Sequence, residues 1–443
     1  MVPQIVTHLP IELNMNTFKK NLSILFLNIR NRNWFAVRIT LIKTVLKFLH
    51  ILCLPFGLIF VLVIRLIRPW FLVRFEILVS ERIGHFAANT ELYLCERDAG
   101  INVPQKPYVD LWYLNWPICN QYLATMWSRT VHIWPAWLLV PASKVNAWIP
   151  GGKVHRIGDN TCIDRDVHHL FDRFSPHLEF LPDEEKKGRE GLRTLGIPDG
   201  AQFVCLNVRD SAYLSKSLPW KSWDYHSYRD CDIKNFNLAV REIADRGYYV
   251  IRMGVIAAEP MQISHPKIID YAFNGMRSDF MDIYLGAKCE FCVSTSTGFD
   301  AVPYVFRRPI VFVNHCPAGI LFTFSEKFIG LTKHYFSKEK SRELTITEIF
   351  SHDGGFCMRT SEYESKGIQL IENTPEEICD VVVEMVDRLN ETWQPHEEDE
   401  ILQKHFWEIY GNALDVNGNR HLHGELRSRY GADFLRKNPE FLQ

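Results

Sequence analysis

The sequence predicts an α/β chain with two parallel-sheet domains that follow a membrane-associating helical segment. Short apolar runs alternate with helix-like stretches from about residue 75 onward, which is typical of parallel sheets with helical crossovers. The length of 443 residues suits two domains of ordinary size and an appendage. The first 82 residues are also far more basic than the rest of the chain.

Charge is distributed unevenly along the sequence. Residues 1–82 hold eleven Lys or Arg and three acids, which gives +8, and the remaining residues carry −10. A basic, apolar start joined to an acidic body predicts an anionic membrane surface for the first part and solvent for the second. The total charge of −2 argues against nucleic acid as a partner.

The stretch from Phe48 to Ile64 contains seventeen residues without a formal charge. A helix that spans a bilayer needs about 20 residues, so this stretch is near the lower limit. Pro55 and Gly57 predict a bend near its centre, and bases at both ends give no direction under the positive-inside rule. We expect membrane association through about residues 15–74, as a single span or as a segment that enters and returns. Two helices packed on the body are the alternative.

Domain limits follow from changes in this pattern. The predicted parts are a membrane-associating segment, two α/β domains and a helical tail that packs back on the body, over the first domain: residues 1–74, 75–195, 196–390 and 391–443. In the first domain, a small-residue loop precedes a helix from about Asn89 to Arg97. In the second domain, a helix is expected from about Asp300 to Arg307.

The first candidate site is the loop "STSTG", which lies between a predicted strand and a predicted helix. Ligands of parallel α/β sheets bind beyond the carboxyl ends of the strands. The hydroxyls of Ser294, Thr295, Ser296 and Thr297, with the helix N-terminus, suit a phosphate group, and Gly298 allows close approach. A helix cap is the alternative, although one Ser or Thr is enough for a cap.

A second cluster lies at the ends of two neighbouring predicted strands. Asn207, Arg209 and Asp210 end one apolar run, and Arg252 ends the next. An Arg at such a strand end suits a bidentate hold on phosphate. Asp210 would orient that Arg, bind a hydroxyl or only cap the next turn, and surface ion pairs are the alternative for each Arg.

A third cluster lies in "SERIGHFAANTEL", at the start of the first domain. Gly84 and two alanines open space there, and His85 and Glu91 are titratable groups that suit general-base work. Purely structural roles are the alternative for these residues. Asn89 would be a helix N-cap with Glu91 in the first turn, and His85 would be a loop residue.

Signals for metal and redox chemistry are weak. The eleven cysteines are scattered and predict free thiols in a reducing compartment. The stretches "DCD" at 230–232 and "HLH" at 421–423 lack further ligands at recognised spacing. No GxGxxG follows a strand and there is no P-loop, which disfavours NAD-dependent redox chemistry and ATP hydrolysis. We expect neither a cofactor nor a metal.

Several motifs together resemble a group of bacterial glycosyltransferases found with surface-polysaccharide biosynthesis genes. These motifs are "RIGHFAANTELYLCERD", "NVRDSAY", "YRD", "GYYVIRMG", "IIDYA" and the stretch from "RSDFMDIYLG" to "RRPIVFVN", and the resemblance covers about residues 75–390. The second domain is also similar to the donor domain of GT-B transferases, including fucosyltransferase-like and heptosyltransferase-like enzymes. The resemblance implies a GT-B fold, in which two Rossmann-like domains face each other, the first for the acceptor and the second for a nucleotide-sugar donor.

The resemblance also implies roles for single residues. Arg209 and the loop Ser294–Gly298 would hold the nucleotide diphosphate, and the loop that contains Gly84, His85 and Asn89 would approach the acceptor. GT-B enzymes often have an acidic base in that loop. Here His85 occupies the loop and Glu91 is the nearest downstream acid, so both are candidate catalytic bases.

The implied activity is metal-independent transfer of a sugar from a nucleotide sugar to a glycan acceptor, and we expect a lipid-linked acceptor. The expected location is the cytoplasmic face of the inner membrane, with a monotopic or single-pass attachment. Two other functions fit the sequence. One is a sugar-nucleotide epimerase of GT-B-like architecture, which the apolar segment disfavours, and the other is a non-catalytic glycan-binding or assembly protein on the same scaffold.

Overall fold

The computed structural model describes three stretches of the chain, residues 34–158, 164–212 and 223–443. Contacts divide these residues into two compact units. The first unit holds residues 34–82 and 96–158. The second unit holds residues 83–95, 164–212 and 223–443.

The units differ from the predicted domains in their limits. Residues 83–95 and 164–195 belong to the second unit, whereas the sequence pattern assigned them to the first domain. Units defined by contacts need not coincide with independently folding domains, so the predicted domain limits stay predictions. The predicted membrane segment falls partly outside the described residues, because residues 15–33 are not among them.

The first unit is built around a parallel sheet. The elements from residue 34 to residue 148 are α1 (Trp34–Leu52), α2 (Leu54–Ile67), β1 (Leu72–Leu78), α3 (Ile83–Asp98), β2 (Tyr108–Leu114), α4 (Gln121–Ser128), β3 (His132–Ile133) and α5 (Ala136–Trp148). The strands lie in the order β1-β2-β3, and both pairings are parallel. Helix α3 begins in the second unit, and its last three residues belong to the first.

Helix α2 packs one of its faces into the core of the first unit. Gly57, Val61 and Ile64 are buried at spacings of four and three residues, which places them on one side of the helix. Val61 and Ile64 join a core cluster with Phe75 of β1 and Leu139 of α5. The other side chains of α2 therefore do not contribute to this core.

Helices α1 and α2 are bent against each other at Cys53. Across the described stretches, no single helix is long and apolar enough to cross a membrane, and only the pair Val37–Leu52 and Leu54–Ile67 passes that test together, with a bend of 53°. Pro55 lies in the first turn of α2, where a missing backbone N–H costs little. The predicted bend near Pro55 is thus confirmed.

The second unit contains a parallel sheet of seven strands. Its elements are α6 (Leu170–Arg173), α7 (Pro182–Thr194), β4 (Phe203–Asn207), α8 (Asn237–Asp245), β5 (Tyr249–Arg252), β6 (Ile268–Ile269), α9 (Asp279–Lys288), β7 (Cys292–Ser294), α10 (Ala301–Val305), β8 (Ile310–His315), β9 (Phe328–Thr332), β10 (His334–Ser337), β11 (Arg342–Glu343), α11 (Ile346–Ser351), α12 (Thr360–Ser365), β12 (Ile368–Ile371), α13 (Pro375–Leu389), α14 (Asp399–Val416), β13 (Arg429–Tyr430) and α15 (Ala432–Lys437). The strand order is β13-β9-β8-β7-β4-β5-β6. The chain is therefore a mixed α/β protein with parallel sheets, as the alternation in the sequence predicts.

The C-terminal tail belongs to the second unit and not to the first domain, over which it was expected to fold. Phe406, Tyr410 and Leu414 of α14 are fully buried in the core of the second unit. Strand β13 extends the seven-stranded sheet by pairing in parallel with β9. The apolar face of α14 is what binds the tail there, because burying such side chains is the main stabilising term in packing.

Two predicted helix limits are wrong. Helix α3 begins at Ile83 and not near Asn89, because nothing in the small-residue stretch interrupts a helix and its two alanines favour one. Gly84 and Asn89 are therefore helical residues and not loop residues, and Asn89 is not an N-cap. The helix expected from Asp300 to Arg307 is shorter, since a 3₁₀ turn at Gly298–Asp300 precedes the five residues of α10.

Candidate functional site

Two of the predicted clusters meet at the carboxyl edge of the seven-stranded sheet. Strands β4 and β7 are neighbours, and Asn207 lies opposite Ser294 in their register. The backbone N–H of Arg209 donates to Oγ1 of Thr295 at 2.8 Å, and the amide of Asn207 donates to the hydroxyl of Thr297. The parallel pairing of the two strands thus joins the Arg209 segment to the Ser294–Gly298 loop.

The hydroxyls of the loop all have partners within the protein. Ser294 Oγ donates to Asp300 Oδ2 at 2.9 Å and accepts the N–H of Ser296 at 3.1 Å. Thr297 accepts the N–H of Phe299 at 3.4 Å as an N-cap. The expected contribution of a helix N-terminus is small, because α10 has five residues and aligns few peptide dipoles. Phosphate binding by this loop stays a prediction.

Ser296 is held in an unusual backbone conformation. Its φ of 59° lies in the left-handed region, which residues other than glycine seldom adopt. Its hydroxyl is hydrogen-bonded to Nδ1 of His315 at the end of β8. Burial, and then the charges of Arg229 and Arg165, lower the pKa of His315 to about 3. A neutral imidazole therefore fixes the middle of the loop.

Gly298 is approached closely by helix α3. A Cβ atom on Gly84 would lie 3.1 Å from Cα of Gly298, and a Cβ atom on Gly298 would lie 3.3 Å from N of Gly84. The two glycines therefore allow the first turn of α3 to touch the loop. The third predicted cluster joins the other two through this contact.

Two arginines come together beside the loop. Nε of Arg209 lies 3.4 Å from Oδ1 of Asp230, and Nη2 of Arg229 donates to the carbonyl oxygen of Ser296. Burial, and then the positive charge of Arg229, lower the pKa of Arg209. Sequence reasoning missed Arg229 as a site residue, because it lies on a 3₁₀ helix, Asp224–Arg229, and not at a strand end. Its signal was the motif "YRD".

Two buried polar atoms of this cluster lack a hydrogen-bond partner in the part of the chain that the structure describes, the hydroxyl of Tyr228 and Nε of Arg229. Nε of Arg209 and Oδ1 of Asp230 face only each other, at 3.4 Å, which is long for a hydrogen bond. Buried polar groups are nearly always paired in folded proteins, because leaving one unpaired costs about 1–3 kcal/mol. Two unpaired atoms and one loose ion pair on neighbouring side chains favour this cluster as the place of a polar ligand.

A cavity of about 610 Å³ opens beside Asp230. Nζ of Lys333, at its wall, donates to the carbonyl oxygen of Asp230 at 2.7 Å. The volume is within the range of sites for small ligands, about 300–1,000 Å³. The lining is mostly polar and comes from Ser227, Tyr228, Asp230, Asp232, Asn235, Lys333, Gln369, Leu370, Ile371, Glu372, Asn373, Thr374 and Pro375.

Asp210 and Arg252 have structural partners. Asp210 accepts the N–H of Ala212 at 2.9 Å and the N–H of Ala258 at 2.8 Å, so it organises two turns. Arg252 is buried and donates to the carbonyl oxygen of Glu259 at 2.6 Å. These contacts favour the turn-capping alternative for Asp210. Nη1 of Arg252 also lies 3.5 Å from Oδ2 of Asp270, which is a largely buried ion pair and not a surface one. The predicted roles of both residues in ligand binding stay predictions.

The two candidate bases have different surroundings. His85, on the first turn of α3, has a side chain that is 31% exposed, and its Nδ1 lies 3.6 Å from Oδ2 of Asp164. Burial raises the pKa of nearby Asp300 to about 7, although the hydroxyl of Ser294 and the charge of Arg229 oppose this. His85 therefore has a ring that a ligand can reach, with an acid close to it. Sequence reasoning did not select Asp164 or Asp300.

Glu91 is fully buried and occupied by other groups. Nη2 of Arg307 lies 2.6 Å from Oε1 of Glu91, and Nδ1 of His177 lies 3.2 Å from the same oxygen. Glu91, Cys95 and His177 form the one group of potential metal ligands found among the described residues. The guanidinium of Arg307 already neutralises the carboxylate there, which disfavours a cation at this position. The placement of Glu91 suits an anchor and not a base.

Comparisons with known proteins give the following result. No family model and no curated protein matches the sequence. Matching solved structures include the glycosyl transferase family 9 from Veillonella parvula, at 11% identity over 59% of this chain and 86% of that chain, with a TM-score of 0.37. They also include E. coli ADP-heptose LPS heptosyltransferase II, at 15% identity over 58% of this chain and 90% of that chain, with a TM-score of 0.31. TM-scores this low do not establish a common fold, and identities this low do not establish a common activity.

Proposed function

We propose that the protein is a glycosyltransferase of GT-B architecture that uses a nucleotide-sugar donor and needs no metal ion. The donor site is the edge of the seven-stranded sheet where Arg209, Arg229 and the Ser294–Gly298 loop meet. The nucleoside occupies the cavity beside Asp230, and the diphosphate lies against the two guanidinium groups. The sequence resemblance to surface-polysaccharide glycosyltransferases supports the same assignment.

The observation that carries this proposal is the pair of partly buried arginines. Burial, and then like-charge repulsion by Arg229, lower the pKa of Arg209, although Asp230 opposes this. Two like charges held together are costly, and an anion between them removes the cost. Nε of Arg229 lacks a hydrogen-bond partner among the described residues, and Nε of Arg209 has only the carboxylate of Asp230, at 3.4 Å. A nucleoside diphosphate supplies the charge and the acceptor oxygens that this pair lacks, and these donors would stabilise it as it leaves.

His85 is the proposed general base. Its ring is partly exposed, and the carboxylate of Asp164 lies 3.6 Å from Nδ1, from where a small movement would let it orient the imidazole. The other ring nitrogen would accept the proton of the acceptor hydroxyl. Glu91 is not proposed for this role because Arg307 and His177 hold it in a fully buried position.

The acceptor is proposed to be a glycan carried on a lipid, at the cytoplasmic face of the inner membrane in the pathway of a bacterial surface polysaccharide. The basic, apolar segment of about residues 15–74 supports this, since it has the composition of a membrane-associating stretch. Transfer at the membrane surface would bring the enzyme and such an acceptor together.

The test is the binding of nucleoside diphosphates to the full-length chain. A panel of ADP, GDP, UDP and dTDP is added in the presence of EDTA, and the melting temperature and calorimetric binding are measured. We expect one base to raise the melting temperature, because a ligand of the folded state stabilises it by mass action. Absence of binding by every member would contradict the proposal and favour a non-catalytic glycan-binding protein.

A second candidate is a sugar-nucleotide epimerase, and one observation favours it. His85, Asp164 and Asp300 place a histidine and two acids around the same loop, which is the kind of set that removal and return of a sugar proton needs. Incubation with a labelled nucleotide sugar and no acceptor separates the two reactions. Isomerised nucleotide sugar would identify an epimerase, whereas a transferase leaves the sugar unchanged or hydrolyses it slowly.

A further inference from the structure

Helices α1 and α2 present a large apolar surface. Fourteen large apolar side chains between Leu41 and Phe71 are exposed, including Leu66 at 73% and Trp70 at 74%. Scattered single apolar residues are normal on protein surfaces, but a run of this density marks an interaction surface.

The other face of α2 is fixed to the first unit. A Cβ atom on Gly57 would lie 2.7 Å from the backbone N of Ala142, so α2 and α5 touch backbone to backbone. Val61 and Ile64 continue this contact face along the helix. Helix α2 is thus a packed element of the α/β unit and not a free rod.

Arg65 fixes the C-terminal half of α2 in the same way. Its guanidinium donates to the carbonyl oxygen of Pro150 at 2.9 Å and to Oδ1 of Asn146 at 3.1 Å, at the end of α5. From Gly57 to Arg65 the helix is held over roughly 12 Å. A bilayer core is about 30 Å thick, so a helix attached over this length to an α/β unit cannot cross it.

Tryptophans of a second segment extend the apolar surface. Trp137 and Trp148 of α5 are 50% and 62% exposed. The ring of Trp137 lies 6.2 Å from that of Phe56 of α2, and the ring of Trp134 lies 6.2 Å from that of Phe60. Tryptophan is enriched where hydrocarbon meets lipid headgroups, because its ring is apolar and its N–H is polar.

The charges around this surface have one sign. Residues 34–75 contain six bases and no acid. Arg38, Lys43, Lys47 and Arg68 are exposed. Burial, and then the charge of Lys47, lower the pKa of Lys144 on α5, so bases of two helices gather in one region. Such a surface complements anionic lipid headgroups.

We propose that the outward faces of α1 and α2, together with Trp134, Trp137 and Trp148, form a docking surface that enters one leaflet of an anionic bilayer without crossing it. This rests on the membrane association proposed above for about residues 15–74. It adds α5 to the contact and decides between a span and a one-leaflet attachment. The α/β unit then stays on the side from which the chain approached.

The first test measures binding of the full-length chain to vesicles. Phosphatidylcholine vesicles with and without phosphatidylglycerol are sedimented with the wild type and with Trp137→Ser/Trp148→Ser. We expect the affinity of the double variant for vesicles to fall by about tenfold or more, because two large apolar contacts are lost. The matched control is Ile401→Ser/Val416→Ser on α14, where two side chains that are 69% and 87% exposed change in the same way. The control should bind like the wild type.

A charge variant tests the anionic partner. Lys43→Gln/Lys47→Gln should bind vesicles that contain phosphatidylglycerol about tenfold more weakly and leave binding to neutral vesicles unchanged, because each base near an anionic surface contributes separately. Urea unfolding of every variant checks that the fold is kept. Equal loss on neutral and anionic vesicles would overturn the choice of an anionic surface.

The second test concerns the side of the membrane. The chain carries one tag before residue 1 and another after residue 443 and is added to preformed vesicles, and protease is then added outside. We expect both tags to be digested at the same rate. Protection of the first tag would overturn the proposal and identify a span.

Two further outcomes would also overturn the proposal. In one, the Trp137→Ser/Trp148→Ser variant binds vesicles like the wild type. In the other, that variant turns a lipid-free dimer into a monomer without a change in vesicle binding, which would assign the surface to a second copy of the chain. A wild type that binds no vesicle would refute the membrane association itself. Nucleoside diphosphate binding is measured independently of all these outcomes.

Discussion

Gly84 and Gly298 meet backbone to backbone, and a Cβ atom on Gly84 would lie 3.1 Å from Cα of Gly298. One glycine lies in the first turn of α3, and the other begins the 3₁₀ turn after the Ser/Thr loop. More than two hundred positions separate them in the sequence. Their contact brings His85, the next residue of α3, close to the loop that forms part of the proposed donor site.

Replacement of Gly84 by valine should displace the loop. The added methyl groups meet the backbone of Gly298, which cannot rotate away as a side chain could, and overpacking of this kind costs about 1–3 kcal/mol. Urea unfolding should show this loss, and calorimetry should show weaker nucleoside diphosphate binding. Gly84→Ala is the graded control, since alanine gains helix propensity and adds only one methyl group. A Gly84→Val variant with unchanged stability and binding would contradict the contact.

Replacement of Arg209 or Arg229 by alanine should weaken nucleoside diphosphate binding by about thirtyfold or more. Each change removes a charged donor that is worth about 2–3 kcal/mol when desolvated. The matched control is Arg193→Ala, whose guanidinium is 57% exposed and pairs with Asp199. Titration calorimetry of the three variants checks the difference. Equal affinities for Arg209→Ala and Arg193→Ala would refute the proposed site.

The Glu91→Gln variant should be strongly destabilised and should keep its catalytic pH profile. The change leaves the buried guanidinium of Arg307 without its carboxylate, and breaking a buried pair in this way costs about 3–5 kcal/mol. The paired change Glu91→Leu/Arg307→Met should recover much of the loss. The control is Asp199→Asn at an exposed pair, which should change the stability little, because solvent screens such a pair. Lost turnover at unchanged stability would instead make Glu91 the base.

Stability should depend on pH through His334. Burial lowers the pKa of His334, but hydrogen bonds to Glu343 and Glu377 outweigh this and raise it to about 9. Because the folded pKa is above the ordinary value of about 6.5, the stabilisation is complete below pH 6.5 and is lost as the pH rises through 9. His334→Gln should therefore lose about 1–2 kcal/mol at pH 6 and almost nothing at pH 10. A difference that stays constant between these pH values would contradict this assignment.

The sequence predicted the parallel strands and the residues at their ends. Apolar runs of four to eight residues with polar endings placed Asn207, Arg209 and the Ser294–Gly298 loop at one edge of a sheet. The structure confirms that placement, because β4 and β7 pair with Asn207 opposite Ser294. Local pattern was sufficient here since strand ends in a parallel sheet share an edge by geometry.

Helix starts and loop chemistry were less predictable. The small residues before Asn89 looked like a loop, yet they form the first turns of α3. The difference lies in packing, since Phe86, Ala87 and Ala88 are all buried, and burial favours whichever backbone conformation hides those side chains. The hydroxyls of the Ser/Thr loop likewise looked free for a ligand, but each of them has a hydrogen-bond partner, and several of these partners lie on other segments.

The sequence by itself determined the alternation of strands and helices, the basic apolar start and the polar strand ends, because each of these depends on neighbours in the chain. Only the tertiary structure decided that Arg229 stands beside Arg209, that Glu91 is held by Arg307 and that His85 lies near Asp164. Each of these pairs joins distant or irregular segments, and their distances depend on how whole elements pack. The charge of a residue can be read from its type, but the field it experiences comes from residues that only the fold brings near.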